Sequence, residues 1–434
     1  MLDLLRLMVP FKSEYCFQLE SRSSGTSAYY EELNVARVAS DTGLIGSGNI
    51  ERDEFGNVNS VFGEFIPFQQ VPSSYTGIAL KFVNGSVNIP PHIELKASPA
   101  KIVQGHNVFG SNSLLLAYSE FFASLTLSNP ELALMVDWEK AEVLQLDCTF
   151  SARVETEQQC KQVINHFRNV SHGQVRASRY DYETTCKHNT NSSYWGGKTY
   201  SKYHEFMKQY NEYAEKARRG DSHAQFVFDA MSDPRILHFS KYLVRFEAEI
   251  KKRKLKKLNI PTNIHELIKY QHQLKEDTGK ELIEELWKET YGKLIDNTFK
   301  GQAMNIYDDE KVQLKLRNVY QKITPKGKVS HSKSDRAFSF YRRLINEGYK
   351  EVQRSFSVRK TFYNNLNMLL DAGFTKSQLQ NLSGNGMNKV VPLCEVITID
   401  FSKQTPDWYV EPEYGPMTKQ LFGFDDNVTQ LKTA

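Results

Sequence analysis

The chain opens on a short apolar stretch, MLDLLRLMVPF, interrupted by Asp3 and Arg6 and followed by no cleavage site. It reads as a strand, not a leader peptide. Through residue 150 the texture stays β-rich, with apolar runs such as Ile78–Val83 and Ile93–Lys96 set between Gly, Pro, Ser and Asn clusters. Leu114–Leu127 is apolar enough for a buried helix. Val143–Phe150 alternates: Leu144, Leu146 and Cys148 oppose Val143, Gln145 and Asp147. That strand carries Asp147 on its polar face.

Residues 156–170 place Val163, Ile164, Phe167 and Val170 on one helical face, and 171–199 reads as a polar loop. Tyr200–Arg219 has helical spacing, with Tyr200, Tyr203 and His204 sharing a face. Leu243–Ile250 alternates again as a strand, with Arg245, Glu247 and Glu249 on one side. It runs into KKRKLKK at 251–257, and residues 263–298 are helical in pattern.

Near residue 300 the texture changes. An acidic triplet, Asp308–Glu310, precedes a basic stretch with helices expected over Ala337–Val352 and Lys360–Leu370. Gly373 offers a helix stop, and Thr375–Leu382 a short further helix. Helix, glycine turn, helix on a basic background fits both a helix-turn-helix reader and an ordinary helical hairpin. The last 30 residues read as an irregular tail.

Charge sharpens this division. Residues 1–150 hold 9 Lys/Arg against 17 Asp/Glu, whereas residues 311–389 hold 16 against 4. A polyanion partner bound mainly by the C-terminal part is the functional reading; a solvated basic face is the plain one. With 40% hydrophobic residues the 434-residue chain is ordinary globular material, enough for two or three domains. No run approaches the roughly 18 apolar residues of a membrane helix. Five scattered cysteines, none in a CxxC pair, fit a reducing cytoplasm and no thiolate zinc site.

The chain has no P-loop, no GxGxxG after a strand, no HExxH and no nucleophile elbow, which counts against ATP-driven and hydride-transfer chemistry. Four elements remain. Gly105-His106-Asn107 offers His106 as a metal ligand or base, or as a satisfied loop histidine. Asp147 suits a hard divalent cation, or a salt bridge with Arg153. Tyr200-Ser201-Lys202 offers a nucleophile with a cation to offset its high pKa, or plain surface aromatics. Glu247 supplies a second carboxylate across the sheet, or a salt-bridged strand face.

Long blocks of the chain resemble the replication-initiator family of filamentous phages (inoviruses), the gene II proteins. They include KASPAKIVQGHNVFG (96–110), DCTFSAR (147–153), LVRFEAEIK (243–251), FYRRLINEGY (340–349) and PDWYVEP (406–412). The resemblance implies an α+β catalytic domain over 1–300, a rolling-circle-initiator-like antiparallel sheet with flanking helices. A mainly helical basic DNA-binding domain over 304–434 would follow. It implies a host-cytoplasmic enzyme that binds the plus-strand origin of the double-stranded replicative form. The enzyme nicks one strand through a tyrosine, leaves a 3′-OH primer, and rejoins the displaced single strand.

Host helicase, polymerase and single-strand-binding protein would be partners, and the resemblance leaves room for self-association on DNA. The Y-x-K-x-x-E match assigns the nucleophile to Tyr200, with Lys202 beside it and Tyr194 and Tyr203 as rivals. Asp147, Glu247 and His106 would hold Mg²⁺ (or Mn²⁺). The His-hydrophobic-His triplet of the broader rolling-circle initiator class is missing; His92-Ile93-Glu94 is the nearest approach. Phosphate contacts are expected from Lys251, Lys252, Arg253, Lys254, Lys326, Lys328, Arg342, Arg343, Arg359 and Lys360. Met304 stands where the family starts its shorter product, the gene X protein. A non-catalytic DNA-binding repressor is the competing reading, and a metal-dependent hydrolytic nuclease a third.

Overall fold

The computed structural model describes all residues except 24–25, 53–57, 170, 173–174, 177–183, 296–308, 324–328, 375, 381, 383–398 and 424–434. Met304, Lys326 and Lys328 lie outside the described residues.

An antiparallel eight-stranded sheet organises the chain. Its strands are β1 (Leu2–Pro10), β2 (Gln69–Val71), β3 (Ile78–Val83), β4 (His92–Ala97), β5 (Glu142–Arg153), β6 (Thr185–His188), β7 (Trp195–Ser201) and β8 (Leu243–Lys251). Their spatial order is β6-β7-β8-β5-β1-β4-β3-β2. Two hairpins, Cys16–Ser23 with Thr26–Leu33 and Ser47–Arg52 with Val58–Phe65, stand outside it.

Alternation decides which face is buried in oil. Leu5, Leu7 and Val9 of β1, Leu146, Cys148 and Phe150 of β5, and Phe246, Ala248 and Ile250 of β8 join one core. The helices Leu114–Ser128, Glu157–Asn169, Ile264–Thr278 and Leu282–Trp287 close it from the same side. The opposite face carries Arg6, Asp147, Arg245 and Glu247. At its β8 end a second, smaller cluster forms from Leu243, Phe206, Val227, Met231, Val108 and Phe109. The helices Lys202–Arg218, Ser222–Met231 and Pro234–Ser240 thus cover that end of the polar face.

Two expectations change. The expected polar loop over 171–199 contains strands among its described residues, since Thr185–His188 is β6 and Trp195–Thr199 is part of β7. Thr, Cys, Trp and Tyr there have strand preference, and the turn between the strands uses Asn189 at φ +56°. Tyr200 is not helical either. It pairs within β7 against Arg245, and the helix begins two residues later at Lys202.

Residues 309–382 build a separate helical core from Asp309–Tyr320, Ser332–Glu347, Tyr349–Ser355, Arg359–Asp371 and Lys376–Gln380. Gly373 (φ +86°) turns the chain after the fourth of these helices, as the sequence predicts. The chain then comes back to the sheet. Ile399 and Phe401 pack on the main core, and the helix Pro416–Phe422 lies on Leu114–Ser128. Glu120, fully buried in the latter helix, accepts hydrogen bonds from the Thr418 (2.8 Å) and Met417 (3.4 Å) amides. The described residues 399–423 therefore include contacts to the sheet body through Ile399, Phe401 and Pro416–Phe422.

Candidate active site

β7, β8 and β5 set the centre by register alone. Tyr200 faces Arg245 and Lys198 faces Glu247 across β7–β8; Arg245 faces Ser151, Glu247 faces Thr149 and Glu249 faces Asp147 across β8–β5. Directly opposed residues of an antiparallel pair project to the same side, so all eight share the polar face. Tyr200 is 3% exposed, Arg245 2%, Asp147 5% and Glu247 7%. Such burial of charge demands compensation.

Arg245 is held by three acceptors. Its Nη1 and Nη2 donate to the Asn107 and Val108 carbonyls, and its Nε donates to Ser151 Oγ at 3.4 Å. Asp3 Oδ2 lies 4.0 Å from Nη1. Lys198 stands over the Tyr200 ring, 4.3 Å from its centroid, and reaches Glu247 Oε2 at 3.4 Å. Burial, then the negative charge of Glu247, pushes the Tyr200 hydroxyl well above the ordinary tyrosine range, while Arg245 pulls the other way. Burial also raises Glu247, against the pull of Lys198. Asp147 is raised by burial and then by Glu247. The site therefore sets a phenol that holds its proton tightly beside two carboxyl groups of raised proton affinity.

Lys202 is present but engaged elsewhere. Fully buried, it donates to Asn107 Oδ1 at 2.6 Å and pairs with Glu205; burial lowers its pKa to about 8. Arg245 and Lys198, not Lys202, are the cations beside Tyr200. His106 is also buried, and its pKa is lowered to about 3 by burial and by Lys202 and Arg245. The carboxylate that acts on it is Asp233, and its ring packs edge-on against Phe109. The expected His106–Asp147–Glu247 triad does not gather, and no group of three or more His, Cys, Asp or Glu converges to hold a metal among the described residues. The His106 Nδ1 lies 3.4 Å from both the Gln104 amide nitrogen and the Val108 backbone amide, and its ring is turned toward Phe109.

The carboxylate pair still suits a hard cation. The charge of Glu247 raises the proton affinity of Asp147, and the Thr149 hydroxyl, directly across from Glu247, is buried without a hydrogen-bond partner. Two carboxylates and an orphaned hydroxyl are the oxygen donors that Mg²⁺ or Mn²⁺ takes.

The expected phosphate contacts divide. Lys251 donates to the Ser192 carbonyl, Lys252 pairs with Glu142, Arg253 reaches Ser193 Oγ and Lys254 pairs with Glu289. Arg342 pairs with Asp309, and Arg343 with Glu347. Arg359 and Lys360 are exposed in the first turn of their helix, where the N-cap, Val358, supplies no side-chain acceptor. Tyr194 is 43% exposed with Lys257 over its ring, and Tyr203 stacks edge-on with His204. Tyr200, and neither of these two, is the tyrosine that pairs with Arg245 across β7–β8.

Sequence reading missed Asp3, Lys198 and Thr149. Register brings Lys198 and Thr149 to Glu247, while Asp3 sits at a bulge of β1 and reaches Arg245 from two strands away.

Fold and site together define an α+β protein whose antiparallel sheet buries a tyrosine between an arginine and a carboxylate, joined to a basic helical body. Residues 1–277 match the family described as replication-associated protein (the gene II product), N-terminal, and residues 323–414 match its C-terminal counterpart. The replication-associated protein of Salmonella phage IKe is 40% identical over 418 residues, spanning 95% of this chain and 96% of that protein. That of Enterobacteria phage M13 is 38% identical over 416 residues, spanning 95% and 99%. The chain belongs to this gene II family of inovirus replication-associated proteins. Among solved structures, a rolling circle replication initiator from Geobacillus stearothermophilus overlaps at a TM-score of 0.20 and 12% identity, over 58% of this chain and 73% of that one. So slight an overlap carries no argument.

Proposed function

We propose that this chain initiates phage DNA replication by nicking and rejoining the plus strand at its origin, with Tyr200 as nucleophile. The observation that carries the reading is the placement of Tyr200 across from Arg245 and beside Glu247, all buried on one sheet face.

In this mechanism Glu247 takes the phenolic proton, and Arg245 and Lys198 stabilise the phenolate. The Tyr200 oxygen bonds to the scissile phosphorus, the bond to the 3′ oxygen breaks, and that oxygen takes the proton from Glu247 to leave as the 3′-OH primer. The 5′ end stays on Tyr200, so the phosphodiester energy is kept and no ATP is spent. Rejoining runs the same exchange backwards. Asp147 and Thr149, with the Glu247 oxygen that does not face the phenol, would hold Mg²⁺ or Mn²⁺, which would polarise the scissile phosphate when bound. Because Tyr200 is only 3% exposed, the DNA strand has to displace part of its cover before attack.

The basic helical body, with Arg359 and Lys360 exposed, supplies duplex affinity. The partners of this reading are origin DNA, the displaced strand and the host replication machinery, in the host cytoplasm. No described helix is long and apolar enough to cross a membrane.

The test is a nicking assay on supercoiled plasmid carrying the plus-strand origin, with Mg²⁺. Products are denatured, probed for protein on the 5′ end, and the linked peptide is sequenced. An adduct at Tyr200, absent in Tyr200→Phe, is expected. An adduct at Tyr194 or Tyr203 would move the nucleophile. Free 5′-phosphates with no adduct would indicate a hydrolytic nuclease, and binding without nicking a repressor.

A further inference from the structure

The side chain of Gln404 occupies the position of a missing strand. β5 is flanked by β8 on one side for its whole described pairing, but β1 accompanies it on the other side only as far as Cys148, opposite Leu2. Past that point the Thr149 amide donates to the Met1 carbonyl. The next inward-facing pair, at Ser151, would be left open. Gln404 closes it: the Ser151 amide donates to Gln404 Oε1 at 2.7 Å, and Gln404 Nε2 donates to the Ser151 carbonyl at 3.0 Å. A primary amide carries the same donor and acceptor as a peptide group, so one side chain extends the ladder by one rung.

The rest of the segment grips a second place. Trp408 and Tyr409 pack edge-on against Phe109, with ring centroids 5.2 and 5.4 Å away, and Ser111 Oγ donates to Glu411. Arg235 lies over the Trp408 ring at 4.6 Å.

These two places are the two sides of the Arg245 cradle. Its Nε is bonded to Ser151, and its Nη atoms to the carbonyls of Asn107 and Val108, next to Phe109. We infer that the segment from Gln404 to Glu411 is a strap that positions Arg245 against Tyr200, with Gln404 as the positioning residue for the strand side and Trp408 and Tyr409 for the loop side. The inference rests on the proposed role of Tyr200. It adds that nicking depends on residues lying beyond the helical body in sequence. Gln404 touches neither DNA nor the reacting atoms; it acts through Ser151 and Arg245.

The test uses the full-length chain with Gln404→Ala, and with Val410→Ala as a control on the same segment, since Val410 is 84% exposed. Single-turnover nicking of origin plasmid is read against pH, together with origin affinity, melting temperature and hydrogen exchange in peptides covering 106–111 and 149–153. Gln404→Ala is expected to nick about 10–100-fold more slowly, the scale of a small misplacement of a catalytic group. Its origin affinity should be unchanged. Its pH–rate profile should move to higher pH, because a displaced Arg245 stabilises the phenolate less. Exchange should rise in both peptides, and Val410→Ala should match wild type throughout.

A Gln404→Ala rate and profile equal to wild type would overturn the strap. So would a slower rate that merely tracks loss of folded protein with an unmoved profile. The exchange measurement needs no DNA. If wild type fails to nick, the proposed function falls, while unchanged exchange at 106–111 would still overturn the strap by itself.

Discussion

Tyr200 and Arg245 face each other across the β7–β8 pair, and the guanidinium spends its donors on Asn107, Val108 and Ser151. A planar fork satisfies three acceptors that an ammonium cannot. Arg245→Lys keeps the charge and orphans at least one buried carbonyl, at about 1–3 kcal/mol each. Arg245→Met also removes the guanidinium 4.0 Å from Asp3, which keeps its hydrogen bonds from Asn107 and Ser98, and leaves all three acceptors unpaired, at about 1–3 kcal/mol each. Urea denaturation should rank wild type above Arg245→Lys, and that above Arg245→Met. Equal stabilities would deny the guanidinium its structural role.

The acidic pair makes a signed prediction about pH. The folded state raises Asp147 and Glu247 above their ordinary values, so it binds more protons than the unfolded chain in the window between. Their contribution to stability is present below about pH 4, the ordinary carboxyl value, and is lost as pH rises through the raised folded values. Asp147→Asn removes one charge and keeps the hydrogen bond from Gln145 Nε2, now 2.7 Å to Oδ1. It should stabilise the protein near neutrality by about 1 kcal/mol and do nothing in acid. Mg²⁺ should raise the melting temperature of wild type and leave Asp147→Asn unmoved.

Two adjacent glycines should respond differently to the same methyl group. A Cβ at Gly197 would stand 2.5 Å from the Tyr291 ring, which is fully buried against Trp287 and Phe246. A Cβ at Gly196 would meet Glu249 Oε2 at 2.8 Å, the end of a flexible side chain. Gly197→Ala should cost about 1–3 kcal/mol as overpacking, and Gly196→Ala much less. Thermal melts of the two variants side by side decide it.

Glu120 fastens the tail. Glu120→Ala leaves the Met417 and Thr418 amides without their acceptor and opens a polar hole, at about 1–3 kcal/mol. The loss falls on one local element. Limited proteolysis should therefore cut 399–423 faster while the sheet and the 309–382 core stay resistant. Unchanged cleavage of the tail would show that its aromatic contacts suffice.

Strands and helices with a clean period were legible beforehand. β5 and β8 announce themselves by alternation, β1 by its short apolar stretch, and Leu114–Ser128 by its largely apolar composition. β6 and β7 were not, since Ser, Thr, Asn and Gly dominate their surroundings and hide two short strands among turn residues. That misreading also set Tyr200 on a helix. Arg245, Glu247 and Asp147 were visible as residues on polar faces, but the register that joins them to Lys198 and Thr149 is a long-range fact. Lys202 drew attention through its nearness in sequence to Tyr200, whereas space assigns it to Asn107 and Glu205. Gln404 carries no local signal at all, because its meaning comes from an open strand edge some 250 residues earlier.

The returning tail also changes what kind of attachment the helical body has. Ile295 and Ile399 both pack on the main core while residues 309–382 have a core of their own, so in sequence this body is an insertion between two segments of the sheet body and not a pendant. A load on that insertion, such as the torque of bent or underwound DNA, is shared between two moorings. One of them terminates on Ser151, a single hydrogen bond from Arg245.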